Sequence, residues 1–337
     1  MLAEFYIPKS LNLVKDIFKF IIMRKINIIF IAILVMISCK KNTRNKETLE
    51  PPVRISEIQV HGHRGERGLM PENSIPGFIA AINDGADIIE MDVVISKDHQ
   101  VVVSHEPFMS SVYVSKPSGD IIAKADEKNY NLYQMPYDSI RKFNIGLKGN
   151  KFFPEQQKIA AYKPLLSEVI GSVQNHLKTN NLKPVGYNIE LKSDKKEYGI
   201  SQPPPLEFVK LVMEVLEKNK IQGPVNIQSF DPEILRVVHK FYPDMKLAYL
   251  VYEEGIQKNL EELDFVPQIY SPSYSLVKNK VFVDSIKALN MELIPWTVND
   301  KLAIRKMINL DVHGIITDFP FRVKKEITRN KKVLKKW

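Results

Sequence analysis

Cysteine is nearly absent from this 337-residue sequence, and its scarcity limits how the fold can be stabilised. The one cysteine, Cys39, has no partner for a disulfide within the chain. The sequence also has no Gly-x-Gly-x-x-Gly segment after its first strand-like run, residues 58–60, which disfavours a dinucleotide-binding doubly wound sheet. The content of 44% hydrophobic and 26% charged residues is that of a packed globular domain.

The central part of the chain lacks the positive charge that the total suggests. The formal net charge is +9, but residues 1–56 hold ten Lys and Arg against four Asp and Glu, and residues 322–337 hold eight against one. Subtracting +6 and +7 for these ends leaves −4 on residues 57–321. A nucleic-acid-binding domain carries its positive charge on the folded body, so we expect no nucleic-acid partner. Basic ends fit solvent or an anionic membrane surface better.

An apolar run near the amino terminus has the pattern of an export signal. Residues 23–25 are a positively charged start, residues 26–37 are almost wholly apolar, and Ser38 precedes Cys39. This order is typical of a bacterial lipoprotein, so we expect a signal peptide over residues 23–38. Cys39 would then be the lipidated first residue of a membrane-anchored protein of the cell envelope. The alternative is an uncleaved amino-terminal anchor helix.

The remaining terminal residues are assigned no part in the fold. Residues 1–22 are interpreted as an upstream extension, because Met23 is a second plausible start. Residues 39–56 are polar and rich in lysine, which is typical of a tether. Residues 330–337 are interpreted as a basic tail.

Strand-like and helix-like segments alternate over residues 57–329. The predicted strands are residues 58–60, 87–95, 100–104, 185–191, 225–228, 246–251, 268–271, 292–298 and 314–317. The predicted helices are residues 75–84, 165–177, 205–218, 232–241, 260–263, 281–289 and 302–308. About eight strand-helix units over this length predict an α/β fold of the (β/α)₈ TIM-barrel type, with a doubly wound sheet as the alternative.

Residues 106–163 interrupt this alternation. They are rich in tyrosine, phenylalanine and proline and show little periodicity. A long irregular stretch inside a compact domain is usually functional. We therefore predict an insertion that packs above the catalytic end of the barrel.

Acidic side chains recur at the ends of predicted strands. Glu90 and Asp92 are two residues apart and share one face of a strand, as do Glu190 and Lys192. Residues at the carboxyl ends of barrel strands meet at the catalytic mouth. Three carboxylates that converge there repel one another unless a cation lies among them, and a donor set of oxygens alone favours Ca²⁺ or Mg²⁺.

These residues stand in a context that resembles one known family, the glycerophosphodiester phosphodiesterases. The amino-terminal segments that carry the resemblance are His63-Arg64-Gly65, Pro71-Glu72-Asn73-Ser74, Gly85-Ala86-Asp87, Glu90-x-Asp92-Val93, Ser96-Lys97-Asp98 and Val102-Val103-x-His105. The later segments are Asn188-Ile189-Glu190-Leu191-Lys192, Gln228-Ser229-Phe230, Pro295-Trp296-Thr297-Val298-Asn299 and Gly314-Ile315-Ile316-Thr317-Asp318-Phe319-Pro320. The likeness spans residues 57–321 and implies a (β/α)₈ barrel with an insertion after the second His motif.

The resemblance implies an acid, a base and two phosphate-binding cations. His63 and His105 would be the general acid and general base of phosphodiester cleavage, for which imidazole is suited by a pKa near working pH. Arg64 and Lys192 would neutralise the phosphoryl oxygens. Glu106 departs from the family pattern, in which Asp often follows the second His.

The same resemblance implies the metal ligands and the walls of the substrate site. Glu90, Asp92 and Glu190 would bind a divalent cation, Ca²⁺ or Mg²⁺. Phe230 and Trp296 would contact the alcohol part of the substrate.

The expected function is metal-dependent hydrolysis of a glycerophosphodiester to sn-glycerol 3-phosphate and an alcohol. One alternative is a phospholipase-like enzyme that acts on intact lipid or a phosphoinositide. An alternative of another class is a lipid-anchored binding protein with an inactive site.

Overall fold

The computed structural model describes residues 58–253 and 255–334. The extension at residues 1–22, the signal peptide at 23–38, Cys39 and the tether at 39–56 lie outside the described residues. So do residues 335–337 of the basic end.

Eight parallel strands form the centre of the described chain, and a ninth strand pairs antiparallel with one of them. The strands are β1 (Gln59–Gly62), β2 (Ile88–Ile95), β3 (Val101–Val103), β4 (Gly186–Leu191), β5 (Val225–Ser229), β6 (Lys246–Val251), β7 (Ile269–Pro272), β8 (Glu292–Leu293) and β9 (Gly314–Thr317). Their order is β8-β7-β6-β5-β4-β2-β1-β9, with β3 against β2. The first and last parallel strands of the chain, β1 and β9, are therefore neighbours, which is the arrangement of a barrel and not of a doubly wound sheet.

A short seam closes the barrel between β8 and β9. The amide of His313 donates to the carbonyl of Leu293 at 2.9 Å, and the amide of Ile316 donates to that of Pro295 at 3.0 Å. The amide of Val298 donates to the Ile316 carbonyl at 2.9 Å. The Leu293 amide donates instead to Nδ1 of the His313 ring at 2.9 Å. The predicted strand 292–298 is too long: the regular strand ends at Leu293, although the Trp296 amide still donates to the Pro272 carbonyl at 3.0 Å. Pro295, which has no N–H to donate, interrupts the ladder between them.

Helices connect the strands. They are α1 (Ile75–Asn83), α2 (Tyr137–Ile140), α3 (Leu166–Thr179), α4 (Pro205–Asn219), α5 (Pro232–Phe241), α6 (Ile256–Leu263), α7 (Lys280–Ala288), α8 (Lys301–Asn309) and α9 (Pro320–Leu334). Short 3₁₀ turns occupy Lys124–Tyr130, Leu132–Gln134, Lys195–Glu197 and Tyr274–Leu276. Among the described residues, no helix has both the length and the apolar character needed to cross a bilayer.

Local chemistry explains where these helices start. Ser74 accepts a hydrogen bond from the Gly77 amide at 3.1 Å at the start of α1, and Asp231 accepts one from the Glu233 amide at 3.0 Å at the start of α5. A proline in the first turn of α1, α4 and α5 loses no intrahelical hydrogen bond there. Helix α9 was not predicted, and it extends through the first half of the segment interpreted as a tail.

Strands β2 and β4 are buried along their whole length. Parallel strands covered by helices on the outside and filled by side chains inside are expected to be apolar on both faces. Buried charges on these two strands, Glu90, Asp92 and Glu190, are therefore exceptions that need partners.

The insertion packs around a small core of its own. Strand β3 runs antiparallel to β2, and Val94 and Val102 of this pair join a separate apolar cluster with Met109, Ile140 and Phe143. Although the sequence is irregular, the segment is thus a packed subdomain. It covers the face of the β2–β3 pair that carries Val94, which is the face of β2 that also carries Glu90 and Asp92.

Candidate active site

Three carboxylates converge on two neighbouring strands, as the sequence predicts. Asp92 of β2 lies directly opposite Glu190 of β4 in the ladder, and Glu90 precedes Asp92 by two residues on the same face. One oxygen from each of the three lies within 4.8 Å of the others, and all three residues are buried.

The electrostatics of this cluster are divided. Burial raises the pKa of Glu90, and the charges of Asp92 and Glu190 raise it further. Burial also raises the pKa of Glu190, although the Lys192 ammonium opposes that shift. Burial raises the pKa of Asp92 too, but Arg64 and other cations outweigh it and hold that pKa well below its usual range. The protein alone therefore stabilises one of the three charges and disfavours the other two.

The two predicted phosphate-binding cations lie against this cluster. The Arg64 guanidinium is 2.8 Å from Glu72 and 3.2 Å from Asp92, and its main-chain amide donates to Glu90 at 2.8 Å. Lys192 donates from Nζ to Glu190 at 2.6 Å. Arg64 has a positive φ of 52°, which turns the chain after β1 so that its amide and its side chain both reach the cluster.

Two amide side chains hydrogen-bond to the carboxylates, and the sequence pattern predicted neither of these contacts. Asn73 donates to Oδ2 of Asp92 at 2.8 Å, and its own oxygen accepts from the Asp92 amide at 3.2 Å. Gln228 donates to Oε1 of Glu90 at 2.9 Å. Both residues belong to segments that carry the family resemblance, and that resemblance was the one feature of the sequence that could have indicated their part in the site.

The cluster passes a direct test of fitness for a cation. Its donor atoms are all carboxylate oxygens, the ligand type preferred by Ca²⁺ and Mg²⁺. Oδ1 of Asp92 is buried and has no hydrogen-bond partner among the described residues, with Lys192 Nζ at 3.8 Å. A buried carboxylate oxygen without a hydrogen bond is costly, and coordination to a cation would satisfy it.

His63, the residue directly after β1, has an acidic partner. Its Nδ1 is 2.7 Å from Oδ1 of Asp318, the residue that follows β9. Asn299 holds that carboxylate by donating to Oδ2 at 2.6 Å. Burial lowers the pKa of His63, and the Asp318 carboxylate offsets part of the shift. Since the carboxylate engages Nδ1, Nε2 is the atom left for proton transfer.

His105 has a similar partner, Glu106, on its own segment. Its Nδ1 is 3.2 Å from Oε1 of Glu106. His105 and Lys192 also line a cavity of about 510 Å³ between the insertion and the loop after β4. Phe108 of the insertion forms another part of its wall. The insertion therefore forms one side of the candidate active site.

The two predicted aromatic residues come together on the other strands. Phe230, just after β5, meets Trp296 edge to face with ring centroids 5.4 Å apart. Trp296 is fixed by a hydrogen bond from Nε1 to the Ser271 carbonyl at 2.8 Å. The Lys192 ammonium is 5.9 Å from the Phe230 ring centroid, which joins this wall to the charged cluster. Tyr252 packs on Phe230 at 5.5 Å and was not predicted.

Comparison with known proteins places this geometry in a family context. The sequence matches the model of the glycerophosphoryl diester phosphodiesterase family over residues 63–322. A glycerophosphodiester phosphodiesterase of Caldanaerobacter subterraneus is 32% identical over 264 residues, which cover 77% of this chain and 94% of that protein.

Solved structures share the fold. A crystal structure from Silicibacter pomeroyi has a TM-score of 0.72 at 25% identity, covering 82% of this chain and 95% of that one. A phosphodiesterase of Oleispira antarctica, solved in complex with the product sn-glycerol-3-phosphate, has a TM-score of 0.63 at 23% identity. That match covers 80% of this chain and 96% of the other.

Proposed function

The chain belongs to the glycerophosphoryl diester phosphodiesterase family and is a phosphoric diester hydrolase, and we propose that it cleaves glycerophosphodiesters to sn-glycerol 3-phosphate and an alcohol. The observation that carries this proposal is the buried carboxylate cluster, which lies with two histidines and the Arg64 and Lys192 side chains at one mouth of the barrel. The product in the Oleispira antarctica structure is that of the same reaction and supports the choice of substrate.

Glu90, Asp92 and Glu190 would hold a divalent cation, Ca²⁺ or Mg²⁺. When bound, the cation would supply positive charge that stabilises negative charge on the phosphoryl oxygens. The cation would also relieve the mutual repulsion of the carboxylates, which adds to the effect of burial in raising the pKa of Glu90.

The side chains of the protein divide the remaining work of hydrolysis. Arg64 and Lys192 orient the phosphodiester and stabilise charge on its oxygens as the bond to the alcohol breaks. One histidine accepts a proton from the attacking water as its oxygen bonds to phosphorus, and the other donates a proton to the departing alcohol oxygen. Asp318 fixes Nδ1 of His63, so Nε2 of that ring carries out its transfer.

The decisive experiment measures glycerophosphocholine turnover by coupling to the oxidation of sn-glycerol 3-phosphate. We expect turnover that stops in excess EDTA and returns with Ca²⁺ or Mg²⁺, because the cluster cannot keep three charges without a cation. Lack of turnover with either cation would contradict the proposed reaction. Full turnover in EDTA, with no metal found by elemental analysis, would contradict only its metal dependence.

We also propose that the chain is a lipoprotein anchored in the cell envelope through Cys39. The support is the order of charged, apolar and small residues before that cysteine. Mass spectrometry of the native protein is expected to find a lipidated amino terminus at Cys39. An intact Met1 on a protein that does not partition into detergent would exclude this anchor.

A further inference from the structure

A buried lysine of the insertion has no part in the reaction as described so far. Lys163 is only 2% exposed, which is rare for lysine unless its charge is paired. Its Nζ donates to Oγ of Ser104 at 2.7 Å and lies 3.5 Å from the hydroxyl of Tyr113. The same ammonium is 5.4 Å from the centroid of the Tyr113 ring.

Both partners of Lys163 also hold Glu106. The Tyr113 hydroxyl donates to Oε2 of Glu106 at 2.5 Å, and Ser104 Oγ donates to the Glu106 main-chain oxygen at 2.6 Å. The other carboxylate oxygen, Oε1, is the atom 3.2 Å from Nδ1 of His105. A continuous line of contacts therefore runs from the lysine of the insertion to the catalytic histidine.

The charges around Glu106 favour its ionised form. Burial raises the pKa of Glu106, but the hydrogen bond and charge of His105, the charge of Lys163 and the hydrogen bond of Tyr113 outweigh it, so the pKa lies well below its usual range. A buried carboxylate held in this way is a fixed acceptor for an imidazole N–H.

Two further charges face this carboxylate from the first βα loop. Arg64 attracts it and Glu72 repels it. The two are paired with each other at 2.8 Å, so their effects on Glu106 oppose one another.

We propose that Lys163 and Tyr113 are positioning residues, which hold the Glu106 carboxylate so that it fixes Nδ1 of His105 and leaves Nε2 free for proton transfer. This role rests on the proposed function, since His105 is one of its two proton-transfer groups. The insertion thus supports the catalytic histidine from behind as well as forming a wall of the cavity.

The first test replaces Tyr113 and Lys163, each with a residue of similar shape. Tyr113→Phe removes one hydroxyl, and Lys163→Met removes the charge. We expect each to lower kcat by about tenfold or more with KM changed less than about threefold, the usual scale for loss of an orienting partner. Tyr137→Phe is the matched control: its hydroxyl is also buried in the insertion, but its partners are Glu168 at 2.8 Å and the main-chain oxygen of Lys163 at 3.3 Å, and not the Lys163 ammonium or Glu106. Its kcat is expected to stay within about twofold of wild type.

A cycle with Glu106→Gln separates positioning from general destabilisation. If Tyr113 acts through Glu106, adding Tyr113→Phe to Glu106→Gln should change kcat by less than about twofold, because interacting residues are not additive. Multiplication of the two losses would overturn the proposal. So would wild-type kcat in Tyr113→Phe, whether or not Lys163→Met folds.

Nitrogen NMR of ¹⁵N-histidine protein gives a readout that needs no turnover. The His105 signals are those lost in His105→Ala. We expect the Nδ1-protonated tautomer in wild type and a mixture of tautomers in Tyr113→Phe. The same tautomer in both proteins would overturn the positioning role, whereas failure of the proposed reaction would leave this tautomer difference in place.

Discussion

At the scale of single residues, the site combines groups whose neighbours are far apart in sequence. His63 and its partner Asp318 are separated by 255 positions, and they meet because β1 and β9 are adjacent in the barrel. Asn73 reaches Asp92 from the loop before α1. No local pattern predicts such pairs, whereas the spacing of two between Glu90 and Asp92 did predict a shared face.

The two histidines proposed to transfer protons are expected to differ in their dependence on the leaving group. His63→Ala and His105→Ala should each lower kcat on glycerophosphocholine by about 10² to 10⁴, because each removes a positioned proton donor or acceptor. The nitrophenolate of a nitrophenyl phosphodiester departs without a proton. This substrate should therefore restore much of the rate to the variant that lacks the acid and little to the other. Bound metal, measured by elemental analysis, should remain near wild type in both. Equal recovery of the two variants would contradict the division of roles.

His61 predicts a pH dependence of stability. It is fully buried in β1, two residues before His63. Neither ring nitrogen has a hydrogen-bond partner among the described residues, and burial lowers its pKa to about 3. Between pH 6.5 and about 3 the unfolded chain binds this proton and the folded chain does not, so folded-state stability rises with pH across that range.

The corresponding measurement compares His61→Leu with wild type. Chemical denaturation in chelator at pH 4 to 6 should show a slope of unfolding free energy against pH that is lower by about 1.4 kcal/mol per unit in the variant. Chelator in every sample keeps pH-dependent cation binding out of the comparison. An unchanged slope would show that His61 takes up a proton in the folded protein.

At the scale of elements, the loop after β1 depends on the close approach of two glycines. Gly65 has φ +85°, and a Cβ there would lie 2.6 Å from the Gly77 carbonyl carbon in α1. This contact fixes where Arg64 and His63 stand relative to β2. The loop is therefore a tightly specified part of the site.

Gly65→Ala is expected to destabilise the fold by about 2 kcal/mol or more and to reduce kcat, because it adds both backbone strain and a clash with main-chain atoms. Gly171→Ala is the matched control. It lies at an exposed position of α3 with nothing within 4 Å of the added Cβ, and it should raise stability by about 0.5–1 kcal/mol. Thermal unfolding and kcat measure both effects, and equal shifts in the two variants would contradict the steric explanation.

The elements themselves were predictable where period and flanking residues agree. Helix α5 and strand β6 match their predictions residue for residue, since Asp231 and Pro232 mark the helix start and the strand is a bounded apolar run. Helix α9 was missed because its lysines dominate the composition. Val323 and Ile327, four residues apart and buried, were the signal that it packs on the barrel.

At the scale of the whole molecule, the proposed cation site would link folding to cation binding. Its residues lie on β2 and β4, which are the second and third parallel strands of the barrel in chain order. A ligand that binds only the folded state stabilises it by mass action, by about 2.7 kcal/mol at a hundred times its Kd.

Thermal unfolding should therefore occur at a higher temperature in millimolar Ca²⁺ or Mg²⁺ than in EDTA, and Glu190→Gln should lose most of that difference. In EDTA the variant should be at least as stable as wild type, because one of three mutually repelling carboxylates is gone. Glu214→Gln, on the exposed surface of α4, is the control that should keep the full response. A response of equal size in Glu190→Gln would place the stabilising cation elsewhere.

The seam between β8 and β9 gives the barrel a flank that can open more easily than the β2–β4 pair. Only a few main-chain bonds and the His313 ring span it in the described chain, while β2 and β4 pair over six consecutive positions. Amide protons of residues 293–298 and 313–316 should then exchange with deuterated water ahead of those in β2 and β4. Trp296 and Asp318 stand on that faster flank, and Glu90, Asp92 and Glu190 on the slower one. Opening of the β8–β9 seam would therefore move the aromatic wall at Trp296 while the proposed cation ligands keep their positions on β2 and β4.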